Sequence, residues 1–332
     1  MTKNINIAII GAGRIAEHHL KAIKKVRGFS LTAICDLNKD KAYNFSKKYN
    51  VPFYLDYNQM LKKEKFIDIV AIMTPSGCHY EHCKDILVRY KKNLIVEKPT
   101  FLRPSHVKNI YKIANKLKLK IYPVFQNRFN KSIQKIKKEI KTKKIGKINI
   151  VSIRVRWCRP QRYYNLAPWR GTYSHDGGAL TNQGIHHIDL LRYLIGEVKE
   201  VSSKMLTLGA KIEVEDTGLA VFKFHNGAAG SLEITTAARP NDFEASISIL
   251  GSKGTIQIGG LAVNEILLYT PNPKICKKFS EKIPDAYGFG HYEFYRQIYK
   301  SISRNKNFII SENDCFKTIS LLNAFYVSNE KE

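Results

Sequence analysis

Three small residues, Gly11, Gly13 and Ala16, follow an apolar run at residues 5–10, and a helix-like segment starts at Arg14. Glycine permits a tight turn at Gly11 and the close approach of a pyrophosphate at Gly13, and Ala16 lets the helix pack near the strand. The start of the helix adds unpaired N–H groups and the positive end of its dipole. A glycine trio alone is as often an ordinary turn, but this strand–turn–helix context predicts a dinucleotide site.

An acidic residue, Asp36, ends the second predicted strand, residues 29–35, and lies 20 residues after Ala16. A carboxylate at this place accepts hydrogen bonds from ribose hydroxyls and repels a 2′-phosphate. The sequence therefore favours NAD over NADP, although the nearby Lys39 weakens that preference.

A lysine and a histidine further along the chain could act on a hydroxyl group. Lys98 directly follows an apolar strand, residues 93–97, and His186 lies four residues after Asn182 on one helix face. Histidine titrates near neutral pH and can take the proton of a hydroxyl being oxidised, while lysine can stabilise the developing alkoxide. Each also has a structural interpretation, as a snorkelling lysine or as a histidine that only donates a hydrogen bond.

Basic and aromatic side chains alternate between residues 156 and 170. Guanidinium groups bind carboxylates and diphosphates, and aromatic faces pack on sugars and bases, so this segment is a candidate for substrate binding. An oligomer interface has the same composition, and both roles can hold at once. The side chains concerned are Arg159, Arg162, Tyr163, Tyr164, Trp169 and Arg170.

The elements that must position these groups fall into two parts. Residues 1–122 alternate strand and helix patterns, which predicts a doubly wound parallel sheet of the Rossmann type that binds ligands beyond the carboxyl ends of its strands. Residues 123–332 contain period-2 runs separated by turn signals, which predicts an α+β domain with a large, mostly antiparallel open sheet. The predicted strands here cover residues 148–157, 198–210, 214–225, 228–237, 243–250, 254–259 and 262–270, and the predicted helices 185–194, 291–303 and 312–327.

Composition sets limits on the alternatives. The 332 residues carry a formal charge of +27, but the lysines are dispersed, and the densest run, residues 131–145, has isoleucines at helical spacing. We therefore expect a solvated basic helix face and no nucleic-acid partner.

No apolar run approaches the ~18 residues of a membrane span, so we expect no membrane insertion. Cys78 and Cys83 fit no common zinc spacing, and we expect reduced thiols, a cytoplasmic protein and no metal.

Taken together, the G-x-G-x-x-A turn, Glu97-Lys98-Pro99 and a Gly-Gly-x4-Gln-x2-His element resemble the Gfo/Idh/MocA oxidoreductases over nearly the whole chain. The resemblance implies a Rossmann domain with an open antiparallel sheet domain, and sugar oxidation or reduction by Lys98 and His186. The family's usual aspartate is Asn182 here. An amide binds a hydroxyl but cannot take its proton, which leaves His186 as the base.

Finer motifs at residues 156–164, 169–172, 214–218, 262–265 and 287–291 resemble the WlbA-type branch. This resemblance implies NAD-dependent oxidation of the C3 hydroxyl of UDP-N-acetyl-D-glucosaminuronate, for bacterial surface polysaccharide such as lipopolysaccharide. A keto acid that recycles the cofactor in place is a further partner to consider, and relatives with an exposed sheet are homodimers or homotetramers. The alternatives are a dehydrogenase of UDP-GlcNAc, an inositol or a sugar phosphate, and a non-catalytic NAD sensor.

The resemblance also implies the residues of each site. The expected cofactor residues are Gly11, Gly13, Arg14, Ile15, Asp36, Thr74, Pro75, Ser76, His79, Glu97, Lys98 and Gln126. The expected substrate residues are Arg128, Asn130, Arg159, Tyr163, Tyr164, Trp169, Arg170, Asn182, Gln183 and His186.

Overall fold

The computed structural model describes residues 4–283, 285 and 287–330, which form two compact units. The first comprises the described residues within Met1–Val124 and His291–Phe316, and the second those within Phe125–Gly290 and Lys317–Glu332. Residues 291–316 therefore belong to the first unit, whereas the sequence pattern predicts a second domain that comprises all residues after 122.

The first unit contains a six-stranded, fully parallel sheet in the order β3-β2-β1-β4-β5-β6. Its strands are β1 Ile5–Ile10, β2 Phe29–Cys35, β3 Phe53–Tyr54, β4 Ile69–Ile72, β5 Asn93–Val96 and β6 Ile121–Pro123. Ile7, Ile9 and Val70 are fully buried, as expected of strands covered by helices on both faces. The strand order is the doubly wound order of a dinucleotide-binding fold.

The second unit contains a seven-stranded sheet in the order β13-β12-β11-β7-β10-β9-β8. Its strands are β7 Ile148–Arg156, β8 Val198–Leu206, β9 Thr217–Phe224, β10 Ala229–Thr235, β11 Glu244–Gly251, β12 Gly254–Gly259 and β13 Glu265–Tyr269. Strands β7 and β10 pair in parallel, and the other five neighbouring pairs are antiparallel. These two sheets confirm the predicted fold class.

Helices connect and cover the sheets. Within the described residues they are α1 Ala16–Lys25, α2 Lys39–Tyr49, α3 Tyr57–Lys63, α4 His79–Asp85, α5 Pro104–Lys116, α6 Lys131–Lys141, α7 Gln161–Tyr164, α8 Ile185–Ile195, α9 Lys274–Phe279, α10 Gly290–Ser303 and α11 Glu312–Glu330. Residues 180–184 form a π-helical turn that leads into α8, and residues 126–129 form a 3₁₀ turn before α6. The part of the chain that the structure describes holds no helix with the length and apolarity of a membrane span.

Helix α10 explains why a late segment belongs to the first unit. The rings of Tyr295 and Tyr299 stand edge-on to the ring of Phe29, with centroids 5.7 and 5.8 Å away. Tyr299 also lies where a Cβ at Gly28 would be, at the entrance to β2. Edge-to-face aromatic pairs of this kind stabilise packing beyond their buried area, so α10 is part of this unit's core.

Candidate functional site

The glycine turn after β1 has the geometry of a phosphate cradle. Gly11 has φ +101°, and a Cβ there would lie 2.5 Å from the carbonyl oxygen of Met73, so only glycine fits. A Cβ at Gly13 would meet nothing within 4 Å, which leaves open space beside the start of α1. Helix α1 begins at Ala16, two residues later than predicted, so Arg14 and Ile15 belong to the turn itself.

The Asp36 carboxylate ties this turn to the end of β2. Its Oδ2 accepts a hydrogen bond from the backbone N–H of Ala12 at 2.7 Å, and its Oδ1 accepts one from Asn38 at 2.8 Å. Each carboxylate oxygen has a second lone pair, so the group can still accept from ribose hydroxyls. The residues of this unit therefore fit a bound dinucleotide.

Two further loops, at the carboxyl ends of β4 and β5, are joined by a buried histidine. One ring nitrogen of His79 lies 2.9 Å from the carbonyl oxygen of Thr74, and the other lies 2.9 Å from that of Pro99. His79 is fully buried, so its observed contacts fix the loops that contain Pro75, Ser76 and Lys98. A direct contact of His79 with the cofactor stays a prediction.

Glu97 is the centre of a buried polar cluster that the sequence did not reveal. Its Oε1 lies 2.8 Å from His19 Nε2 and 3.8 Å from His291 Nε2, and its Oε2 accepts from the backbone N–H of Lys98 at 2.9 Å. Burial by itself would raise the pKa of the Glu97 carboxyl, but the hydrogen bond with His19 and the attraction of both histidines hold it well below its usual range. Through its hydrogen bond with the backbone N–H of Lys98, Glu97 holds the backbone of this half-buried residue in place.

The same cluster has the composition of a metal site, with ligand atoms of His19, Glu97 and His291 all within 4.8 Å of one another. Two ligands of one tetrahedral zinc ion lie about 3.3 Å apart, given Zn–N and Zn–O bonds of about 2 Å. The separation of 2.8 Å between His19 Nε2 and Glu97 Oε1 is instead that of a hydrogen bond.

In the second unit, α8 places His186 beside Gln126 of the 3₁₀ turn. The side-chain nitrogen Nε2 of Gln126 lies 3.2 Å from His186 Nε2, and His186 is 8% exposed. Donor and acceptor in this contact depend on the tautomer of the imidazole. A neutral imidazole has one nitrogen lone pair, and where Gln126 does not engage it, that lone pair can take a proton. The buried Gln126 Oε1 has no partner among the described residues.

Two predicted substrate residues near this turn have internal partners. The Arg128 guanidinium forms a two-pronged ion pair with the Asp189 carboxylate, with both N–O distances 2.7 Å, and only 3% of Arg128 is exposed. Asn130 is also buried and donates to the carbonyl oxygen of Ala262 at 2.7 Å. The observed role of both side chains is to hold the chain between the 3₁₀ turn and α6, and their contact with substrate stays a prediction.

Some side chains of the basic and aromatic segment, residues 156–170, contact one another. Arg170 donates to the Tyr163 hydroxyl at 2.5 Å and stacks on the rings of Tyr163 and Trp169, 4.4 and 4.5 Å from their centroids. Arg159 pairs with Asp242 at 2.8 Å and also lies over the Tyr163 ring. Tyr164 instead faces inward, with its hydroxyl 2.9 Å from Thr236 Oγ1.

An open cavity of about 740 Å³ adjoins this segment, and its wall includes Tyr164, Arg170, Lys211 and Glu213. The buried Nε of Arg170 has no hydrogen-bond partner among the described residues. The cavity therefore offers the cationic side chains of Arg170 and Lys211 to an anionic ligand, beside the carboxylate of Glu213.

The Gly177-Gly178 pair makes room for a buried acid, Glu215, which precedes β9. Both glycines have positive φ, and a Cβ at Gly178 would overlap the Glu215 carboxyl group. Oε1 of Glu215 accepts from the N–H of Leu180 at 3.0 Å and from the Tyr326 hydroxyl at 2.8 Å. The acid thereby satisfies an N–H at the start of the π-helical turn that carries Asn182 and the buried Gln183.

Burial raises the pKa of Glu215 from 4.5 to about 7. Between those values the folded chain holds a proton that the unfolded chain has lost, so stability falls as pH rises through this window and stays lower above it. The penalty is on the order of 3 kcal/mol at about 1.4 kcal/mol per unit.

We expect Glu215→Gln to remove this penalty, because glutamine keeps the Oε1 acceptor and carries no charge. At pH 8.5 the variant should melt on the order of 5–10 °C above the wild type, and the difference should vanish near pH 4.5. Thermal melting followed by circular dichroism checks this. Glu213→Gln, at an exposed position two residues earlier, is the control. A pH-independent difference for Glu215→Gln would contradict the burial argument.

Two family models match the chain. Residues 5–125 match the oxidoreductase family with an NAD-binding Rossmann fold, and residues 133–257 match the GFO/IDH/MocA C-terminal domain. Among curated proteins, the myo-inositol 2-dehydrogenase of Thermotoga maritima is 27% identical over 258 residues, which are 76% of this chain and 74% of that protein.

Two solved structures are similar over 99% of the chain. The WlbA dehydrogenase from Bordetella pertussis, in complex with NADH and UDP-GlcNAcA, has a TM-score of 0.90 and 32% identity, with 96% of that chain covered. The WlbA dehydrogenase from Chromobacterium violaceum, in complex with the same two molecules, has a TM-score of 0.89 and 35% identity, with 94% covered.

Proposed function

This chain belongs to the GFO/IDH/MocA family of NAD-binding oxidoreductases, and on that premise we propose that it oxidises the C3 hydroxyl of UDP-N-acetyl-D-glucosaminuronate. The main support for this substrate is the structural similarity to two WlbA dehydrogenases, which extends over 99% of the chain at 32 and 35% identity. Both were solved with NADH and UDP-GlcNAcA.

In the proposed mechanism, the imidazole of His186 takes the proton of the sugar hydroxyl. Gln126 orients the imidazole, as their 3.2 Å contact supports. Lys98 donates to the same oxygen and stabilises the negative charge that develops on it. Asn182 and Gln183 orient the sugar, and Arg159 and Arg170 attract the carboxylate and the diphosphate.

The glycine turn and Asp36 would hold NAD, which when bound would supply the acceptor for the carbon-bound hydrogen and its two electrons. The chain's own contribution at this site is positional, because the Asp36 carboxylate fixes the turn through Ala12. His79 fixes the two neighbouring loops in the same way.

The proposal places the reaction in surface polysaccharide synthesis and the protein in a homodimer or homotetramer. The open sheet supports an assembly, since the apolar side chains of Leu219 and Val221 on β9 are 42 and 61% exposed. Such exposed apolar faces mark interaction surfaces.

A second candidate is the oxidation of an inositol, which the similarity to the Thermotoga maritima inositol dehydrogenase favours. The two candidates differ in charge: the uronate substrate is a polyanion, and an inositol is neutral. The arginines and the cavity at Arg170 support the anionic substrate.

The test is to mix purified protein with NAD and UDP-GlcNAcA and to follow NADH formation, first as a single turnover and then with a 2-keto acid that could regenerate NAD. We expect one equivalent of NADH per active site. UDP-GlcNAc, which lacks the C6 carboxylate, is the matched control and should react at least tenfold more slowly. Faster turnover of myo-inositol than of the uronate would overturn the proposal.

A further inference from the structure

The carboxylate of Asp176, just before the glycine pair, has both of its oxygens engaged. Oδ2 accepts from the backbone N–H of Gly171 at 2.7 Å, and Oδ1 accepts from the side-chain nitrogen of Asn182. Asp176 is only 2% exposed. It belongs neither to the predicted substrate residues nor to the proposed mechanism.

This contact determines which way the Asn182 amide faces. An ionised carboxylate has no hydrogen to donate, so the NH₂ group of Asn182 must point toward Asp176. The carbonyl oxygen of Asn182 then points to the opposite side. A hydrogen bond to a charged acceptor also polarises the amide, which strengthens that oxygen as an acceptor.

We infer that Asp176 is a positioning residue that makes Asn182 a fixed, uncharged hydrogen-bond acceptor for the substrate. The substrate must therefore present a donor, either a hydroxyl or an amide N–H, to residue 182. This inference rests on the proposed function of Asn182 in binding the sugar. Because the amide oxygen cannot take a proton, the hydroxyl proton goes to His186.

The carboxyl group of this pair is at residue 176 and the amide is at residue 182. An exchange of the two side chains would keep one carboxylate and one amide in contact and would still present an acceptor at 182. A carboxylate at both positions would force the pair to share a proton, since two adjacent charged oxygens repel. Repulsion from Asp176 also contributes to the raised pKa of Glu215.

The reciprocal exchange tests the inference. In Asp176→Asn the new carbonyl can still accept from Gly171, but the new NH₂ faces Asn182 and turns its amide around. We expect kcat/KM for UDP-GlcNAcA to fall about 10- to 100-fold, as for the loss of a hydrogen bond to a polarised group. Asn182→Asp alone should be impaired increasingly as pH rises. The double variant should recover to within about fivefold of the wild type at pH 8.

If Asp176 only anchored the backbone at Gly171, the double variant would be no more active than Asp176→Asn, and that result would overturn the inference. A second measurement needs no turnover. In the ¹⁵N–¹H spectrum of the whole protein, Asn182→Asp identifies the Asn182 side-chain signal by its loss. Asp176→Asn should move that signal and speed its hydrogen exchange.

An Asn182 signal unchanged by Asp176→Asn would refute the pairing whatever the substrate is. Failure of the proposed function would look different. In that case the wild type would not oxidise UDP-GlcNAcA, but Asp176→Asn would still move the Asn182 side-chain signal.

Discussion

Replacement of His186 by asparagine should lower kcat by about 10²- to 10⁴-fold, the usual contribution of a positioned general base. Asparagine keeps a polar group of similar size next to Gln126 but cannot accept a proton at neutral pH. Binding of NADH, followed by its fluorescence, should stay within about threefold of the wild type. Single-turnover formation of NADH from UDP-GlcNAcA measures the chemical step directly.

His187→Asn is the matched control for this prediction. His187 lies next to His186 on α8 and is 1% exposed, and neither ring nitrogen has a hydrogen-bond partner among the described residues. Burial lowers its pKa to about 4, so it stays neutral during turnover. The control should retain kcat within about threefold. Equal single-turnover rates for His186→Asn and the wild type would remove His186 from the mechanism.

The second large effect is expected for Lys98→Met, which keeps the length of the side chain and removes its charge. We expect kcat to fall about 10²- to 10³-fold, since the loss of one donor to a developing oxyanion has this size. The experiment measures kcat and the NADH dissociation constant separately, because Lys98 is also proposed to contact the cofactor. The loss in kcat should exceed any change in the dissociation constant.

Lys116→Met, on the exposed last turn of α5, controls for the loss of one positive charge from a chain with a net charge of +27. This variant should leave both kcat and the NADH dissociation constant unchanged within twofold. A Lys98→Met variant with normal kcat and weakened NADH binding alone would assign Lys98 to the cofactor and not to the reacting oxygen.

The fold was predictable where the relevant signal is local. Strands β1, β2, β4 and β5 are short apolar runs that end within two residues of Gly11, Asp36, Thr74 and Lys98, whereas β3 has two residues, too few for a strand pattern to stand out. The order of a doubly wound sheet follows from its connections. In the second unit the strand positions were also predictable, within a few residues. The central place of β7 and its parallel pairing with β10 were not, because pairing partners distant in sequence are chosen by packing of the whole sheet.

Short helices were missed for a related reason. Helix α7 has four residues and α9 has six, which is too few for a helical period to stand out from its surroundings. The boundary of the first unit was missed because α10 carries no sign in its sequence of the strand on which it packs.

In the candidate site, too, the features set by local sequence were predictable and those set by distant partners were not. The glycine turn and Asp36 depend on backbone geometry that glycine and a strand-end acid reveal by type and spacing. Several partners of the other polar residues are remote in sequence: Arg128 and Asp189 are 61 residues apart, and Leu180 and Glu215 are 35 apart. Asp176, in contrast, lies six residues before Asn182, and an acid directly before two glycines was the available signal.

The addition of α10 to the first unit has a consequence for synthesis and dissection of the chain. During translation the strands of the nucleotide-binding sheet emerge before residue 124, yet Tyr295, which contacts His19, and His291, which lies 3.8 Å from Glu97, emerge only after residue 290. An early chain on the ribosome would leave the Glu97 carboxylate and the ring of Phe29 incompletely covered. A fragment cut after residue 124 would expose the same surface, so an excised cofactor unit would need residues 291–316 rejoined to it.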